Sequence, residues 1–136
     1  MKEITLEATV ENLDKVTDFV NEQLEAIGCT FKVITKIDIA IDELFSNIAY
    51  YAYKPNVGPV TVQVDVEEDP LSVIITFMDN GVPFDPLKKA DPDTSLSAED
   101  RQIGGLGIFM VKKTMDLVSY EYRDGKNILR IKKKCD

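Results

Sequence analysis

Between residues 60 and 66 the chain switches to a period of two, and that switch limits the folds open to it. Val60, Val62, Val64 and Val66 alternate with polar residues, the pattern of a half-buried strand. Asp69-Pro70 marks a turn, and LSVIITFMD follows as a second, more apolar strand, so the two predict a hairpin. The opposite periodicity stands before it. Ile34, Ile37, Ile41, Leu44, Phe45 and Ile48 make an apolar stripe on a helix over about 31–53, which Pro55, Gly58 and Pro59 stop. A striped helix and a one-faced hairpin can be stable only by covering each other, which points to helices layered on a sheet.

The remaining segments fit that layering. Ile4, Leu6, Ala8 and Val10 alternate as a first strand. Asn12 is the expected N-cap of a helix reaching about Ala26, with Leu13, Val16, Phe19, Val20 and Leu24 on one face and Gly28 as its stop. From 80 to 104 prolines, glycines and the run DPDTSLSAEDRQ predict a long loop with one short helical turn. GLGIFMVKKTMD then reads as a third helix, and LVSYEYR and NILRIKKK as a hairpin turning at Asp124-Gly125. The expected fold is a two-layer α/β (α+β) sandwich, with helices on one face of a mixed, mostly antiparallel sheet. Its 136 residues suit one domain, 1–136.

Composition removes whole classes of function. The chain contains no histidine, which excludes Ser-His-Asp and Cys-His catalysis, the commonest transition-metal ligand, and a phosphohistidine on this chain. A formal net charge of −8 argues against nucleic acid and anionic lipid as partners. Cys29 and Cys135 lie far apart in sequence and read as free thiols of a reducing compartment. MKEITLEATV has no signal-peptide core, and no apolar run approaches the roughly 20 residues a membrane span needs. A cytoplasmic location is expected.

Three places could carry chemistry. Glu43 and Asn47 lie four residues apart, hence one turn apart on one helix face, where a carboxylate and an amide oxygen could orient a nucleophile and hold a hard cation. Taken alone the pair is equally a solvated polar stripe, the ordinary reading of Asp38 and Asp42. Asp79 ends the most apolar strand and Gly81 permits a sharp turn, so a carboxylate there could accept a hydrogen bond from an exocyclic amine. Asp-Asn-Gly is also plain turn chemistry, as is Asp85-Pro86. Gly105-Leu106-Gly107 opens an apolar helix, where exposed N–H groups and the helix dipole could receive an anion without a basic side chain. Its alternative is close helix packing. The glycines match neither a P-loop nor a dinucleotide fingerprint.

In this order the three elements resemble the GHKL (Bergerat) nucleotide-binding fold of gyrase, Hsp90, histidine kinases and MutL. A chain this short is most similar to the anti-sigma factor serine kinases, and the resemblance runs from the first strand to the last. It implies that ATP and Mg²⁺ are bound, with Asn47 on Mg²⁺ and Glu43 as the base toward an attacking hydroxyl. It places Asp79 on the adenine amine, Gly81 in the wall beneath the ring, Gly105, Leu106 and Gly107 at the phosphates, and 85–103 as a lid. It further implies a sigma factor and a STAS-type anti-anti-sigma protein as partners, and a homodimer. Two positions depart from the group: Tyr51 stands where a histidine is common, and Ile103-Gly104 where an arginine often precedes the glycines, Arg101 being the nearest. The missing arginine favours one rival, a nucleotide-gated binding module without kinase activity. A second rival is a detached histidine-kinase-type ATP-binding domain, which would need a partner carrying the phospho-acceptor, since this chain has no histidine.

Overall fold

The hairpin read from the valine alternation forms the middle of the sheet in the computed structural model, which describes residues 1–88 and 105–136. Strand β2 (Pro59–Glu67) pairs antiparallel with β3 (Ser72–Asp79), setting Val64 opposite Ile75 and Val60 opposite Asp79. β1 (Lys2–Glu7) lies along β2, and the hairpin of β4 (Leu117–Arg123) and β5 (Lys126–Lys134) joins through β5 to β3. The order is β1-β2-β3-β5-β4. Asp124 and Gly125 both adopt left-handed φ, 54° and 76°, the combination a two-residue hairpin turn requires. The sequence suggests a mixed sheet; among the described residues every pairing is antiparallel.

Register puts the apolar residues on a common face. Ile4, Val62, Phe77, Leu129 and Tyr120 fall in one cross-strand row, and Val64, Ile75, Ile131 and Val118 in the next. The helices α1 (Leu13–Ala26), α2 (Phe31–Tyr51) and α3 (Gly105–Thr114) cover that face. Val16, Val20 and Leu24 of α1, Ile37, Ile41, Leu44 and Phe45 of α2, and Ile108 and Val111 of α3 are buried against it. Burying a side chain of this size contributes about 1.5–3 kcal/mol each. The opposite face carries Thr61, Gln63, Thr76 and Arg130, which accounts for the polar alternation of β2, while Ile74, Met78 and Ile128 on that same face make β3 and β5 more apolar.

Local differences from the sequence reading have local causes. The first strand stops at Glu7, because Val10–Asn12 turns into a short 3-10 helix that carries the chain over to α1. Asn12 precedes α1 as expected but does not cap it; its amide Nδ2 donates back to the carbonyl of Glu7 at 2.9 Å. The capping side chain belongs to Thr30, whose Oγ1 accepts from the N–H of Val33 at 3.3 Å and starts α2. That helix ends at Tyr51, earlier than expected, and Tyr53 instead bridges two strands. Its hydroxyl donates to the carbonyl of Pro59 and accepts the N–H of Asn80 at 2.8 Å. Both cysteines are free, yet they are neighbours in space: the Thr30 N–H donates to the Cys135 carbonyl at 3.0 Å. Burial and the adjacent Cys135 thiol push the Cys29 thiol up to about 12. Among the described residues, no helix is long and apolar enough to cross a membrane.

Candidate functional site

Asp79 sits where the most apolar strand gives out, and the sheet holds it there. It is only 4% exposed, on the helix-covered face, opposite Val60 on one side and Asn127 on the other. A carboxylate so enclosed needs donors. Its Oδ1 accepts from the N–H of Gly81 at 2.9 Å and from Nδ2 of Asn127 at 2.9 Å. Burial raises the pKa of Asp79 above the ordinary carboxylate value, and these two hydrogen bonds oppose the rise.

Gly81 then lets the chain pass against the end of α2. A β-carbon at Gly81 would stand 2.1 Å from the carbonyl oxygen of Ala52, and Val82 donates its N–H to that same oxygen at 2.9 Å. The glycine is thus required by backbone contact. Phe84 follows and stacks on Tyr51, with centroids 5.3 Å apart and planes 24° from parallel. The turn reading of Asp85 is correct, since its Oδ1 accepts from the N–H of Leu87 at 2.8 Å. The short helical turn expected in this loop is Pro86–Lys88.

Asn47 and Asp79 line one cleft together with Leu44, Ile48, Leu129, Phe84 and Pro86. The void is about 30 Å³, room for roughly one or two water molecules. Asn47 donates Nδ2 to the Glu43 carbonyl at 2.9 Å and to Glu43 Oε1 at 3.2 Å. No hydrogen bond to its Oδ1 occurs among the described residues, so one hard oxygen donor stays available beside the cleft. Glu43 itself is half-buried and reaches α3: a β-carbon at Gly107 would stand 2.1 Å from its Cδ and Oε2. Here the packing role of the glycine is real. Gly107 makes room for a carboxylate at the first turn of α3.

The structure therefore brings Glu43, Asn47, Asp79, Gly81 and Gly107 to one end of the sandwich, and Gly105 begins α3 beside them. The positions of Ile103, Gly104 and Arg101 and most of the expected lid over 85–103 lie outside the described residues. Asp42 is an exposed surface residue, accepting from Ser46 Oγ at 3.3 Å. Asp38 differs from that expectation. Among the described residues its Oδ1 is buried without a hydrogen-bond partner, it faces Asn21 and Asp18 of α1, and burial raises its pKa.

Sequence reasoning missed Asn127 and Tyr120. Asn127 is 5% exposed and its Oδ1 accepts from the Phe84 N–H at 3.1 Å and from the Tyr120 hydroxyl. One signal was available: Asn127, Leu129 and Ile131 share the inward phase of the last strand, where a polar residue needs a partner.

Over residues 6–133 the chain matches the family described as histidine kinase-like ATPase domain. It is similar to the serine-protein kinase RsbW of Bacillus cereus, 32% identical over 110 residues covering 78% of this chain and 68% of that protein. The serine/threonine-protein kinase BtrW of Bordetella bronchiseptica is 30% identical over 95 residues, covering 70% of this chain and 66% of its own. Among solved structures, one of the RsbU and RsbW domains of a Mycobacterium tuberculosis protein superposes with a TM-score of 0.67 at 17% identity. That likeness covers 98% of this chain and 32% of the other, and it is one of fold.

Proposed function

The chain belongs to the histidine kinase-like ATPase domain family, and from that premise we propose that it is a protein serine/threonine kinase of the anti-sigma type. In this reading it binds Mg-ATP, phosphorylates a serine on a small STAS-type anti-anti-sigma protein, and sequesters a sigma factor. The observation that carries the reading is the meeting of the three sequence elements at one cleft: Asn47 and Asp79 line it, and Glu43 reaches from Asn47 to the first turn of α3. The similarity to two named protein kinases supports the reaction class.

Each residue has a part that its surroundings suit. Asp79, held at the buried end of the central strand β3, would accept a hydrogen bond from the exocyclic amine of adenine. Gly81 would bring the wall of the pocket close, and Gly105, Leu106 and Gly107 would offer N–H groups to the phosphates. Asn47 fits a hard cation through its uncommitted Oδ1, because Mg²⁺ takes few protein oxygens and keeps water and phosphate as its other ligands. When bound, that ion would neutralise phosphate charge, which a chain of net charge −8 does not otherwise offer. Glu43 would take the proton of the incoming serine hydroxyl as the serine oxygen bonds to the γ-phosphorus. The bond from that phosphorus to the β–γ bridging oxygen breaks, and ADP leaves. The cleft has room for roughly one or two waters, so a purine would enter only if residues lining it moved apart.

The test is incubation of the purified protein with γ-labelled ATP, Mg²⁺ and soluble lysate of its source, beside Glu43→Ala. A small protein labelled only by the wild type, with label that survives acid, supports a serine or threonine kinase. Equal labelling by Glu43→Ala refutes the base. ATP binding without Glu43-dependent label favours a nucleotide-gated binding module, and acid-labile label on a partner favours a histidine-kinase-type domain.

A further inference from the structure

Asn127 is the most heavily committed polar side chain at the cleft, and sequence reading gave it no role. It stands on β5 directly across the ladder from Asp79 on β3. Its Nδ2 donates to Asp79 Oδ1 and to the Val82 carbonyl, each at 2.9 Å. Its Oδ1 accepts from the Phe84 N–H at 3.1 Å and from the Tyr120 hydroxyl. A primary amide has two N–H donors and two acceptor lone pairs, so these four bonds use all it has. Asn127 lines the cleft with no capacity left for a ligand, and its effect must pass through its partners.

The effect on Asp79 is specific. Both hydrogen bonds described there, from Gly81 and from Asn127, fall on Oδ1. The carboxylate is pinned by one oxygen, which leaves Oδ2 as the acceptor to offer the cleft. The same amide ties down the backbone at Val82 and Phe84, and Phe84 lines the cleft beside Pro86. We infer that Asn127 is a positioning residue for purine recognition: it fixes Asp79 so that Oδ2 meets the exocyclic amine, and it locks the segment from Val82 to Phe84 to that geometry. The inference rests on the nucleotide-binding reading of the cleft.

A merely structural asparagine and a positioning one differ in selectivity. Affinities for ATP and for purine riboside triphosphate, which lacks the exocyclic amine, are measured for the wild type, Asn127→Ala and Asn127→Asp. Folding of each variant is checked by circular dichroism and a cooperative melt. The wild type should prefer ATP about tenfold or more, the worth of a hydrogen bond to a charged group. In Asn127→Ala that preference should collapse toward parity, with affinity for the analogue changing less.

Asn127→Asp is nearly isosteric and keeps the experiment decisive if the alanine variant does not fold. It sets two carboxylates side by side, which repel until one proton is shared between them. A shared proton restores a donor toward Asp79 Oδ1, so the ATP preference of Asn127→Asp should return as pH falls, opposite to the wild type. The other titratable groups near the pair are Tyr53 beyond α2 and Tyr120 on β4, which interact with Asp79, and Tyr122, which is paired with Asn127 across the β4–β5 ladder; Asp85 after β3 acts on Tyr120, and all are present in both proteins. Folded variants that keep the wild-type preference at every pH overturn the inference while leaving the nucleotide reading intact. A wild type that binds ATP and the analogue equally overturns the inference together with the pairing of Asp79 and the amine, and a wild type that binds neither overturns the nucleotide reading itself; both outcomes appear before any variant is measured.

Discussion

The two glycines of the site, Gly81 and Gly107, each admit something a β-carbon would exclude, and what they admit differs. At Gly81 the neighbour is backbone, the carbonyl oxygen of Ala52, 2.1 Å from where a β-carbon would stand. At Gly107 it is the end of a side chain, the carboxylate of Glu43, at the same 2.1 Å. The Asp79 corner is built from backbone and from a buried amide with every hydrogen bond made. The Glu43 corner is one side chain laid between two helices, with Asn47 donating to its Oε1 at 3.2 Å. In the proposed kinase the first corner reads a rigid base and gains from being fixed, whereas the second must handle a proton and meet a variable partner, and gains from a side chain that can turn.

That contrast can be broken by mutation, most severely at Gly81. Gly81→Ala has no side chain to push aside, so the post-β3 segment must lift from α2; a loss of about 3 kcal/mol in denaturant unfolding is expected. A loss too small to measure would mean that the Asp79 corner is as adaptable as the other. Tyr51→Ala removes the ring that Phe84 stacks on, and should cost about 1 kcal/mol. It should also change the rate of nucleotide association measured by stopped flow, since Phe84 lines the cleft. Gly107→Ala should change stability by less than about 1 kcal/mol, because the helix propensity gained offsets the displacement of Glu43. Its phosphotransfer should fall nonetheless, as Glu43 is pushed from the first turn of α3.

The smallest expected effect is the one most specific in sign. Burial raises the pKa of Asp79 in the folded state above its ordinary 3.8, so in that window the folded chain binds more protons than the unfolded one. The contribution of this group to stability is therefore complete below the ordinary value and is lost as pH rises through the raised one. Asp79→Asn keeps an Oδ1 acceptor for Gly81 and Asn127 and carries no charge. Its melting temperature should match or exceed the wild type at neutral pH, the gap closing toward acid, while ATP affinity drops. A variant less stable than the wild type at neutral pH would contradict the desolvation cost at this corner.

How much was legible beforehand follows the range of the interactions involved. The central hairpin, the stripe of α2, the turn at Asp124-Gly125 and the spacing of Glu43 and Asn47 all follow from neighbours within a few residues, where periodicity and turn chemistry act directly. Asn12 shows the limit even there: its residue type suits a cap, but a carbonyl five residues upstream captured its amide. The sequence by itself determined which segments would be strand or helix, which side of each faces the core, and that carboxylates and glycines would border the helix starts and strand ends. Only the tertiary structure decided that Asn127 would stand opposite Asp79, that Gly107 would shelter Glu43, and that Cys29 and Cys135 would meet. Those pairings join residues tens of positions apart, and they depend on strand register and helix docking, which the whole core sets at once and no local pattern encodes.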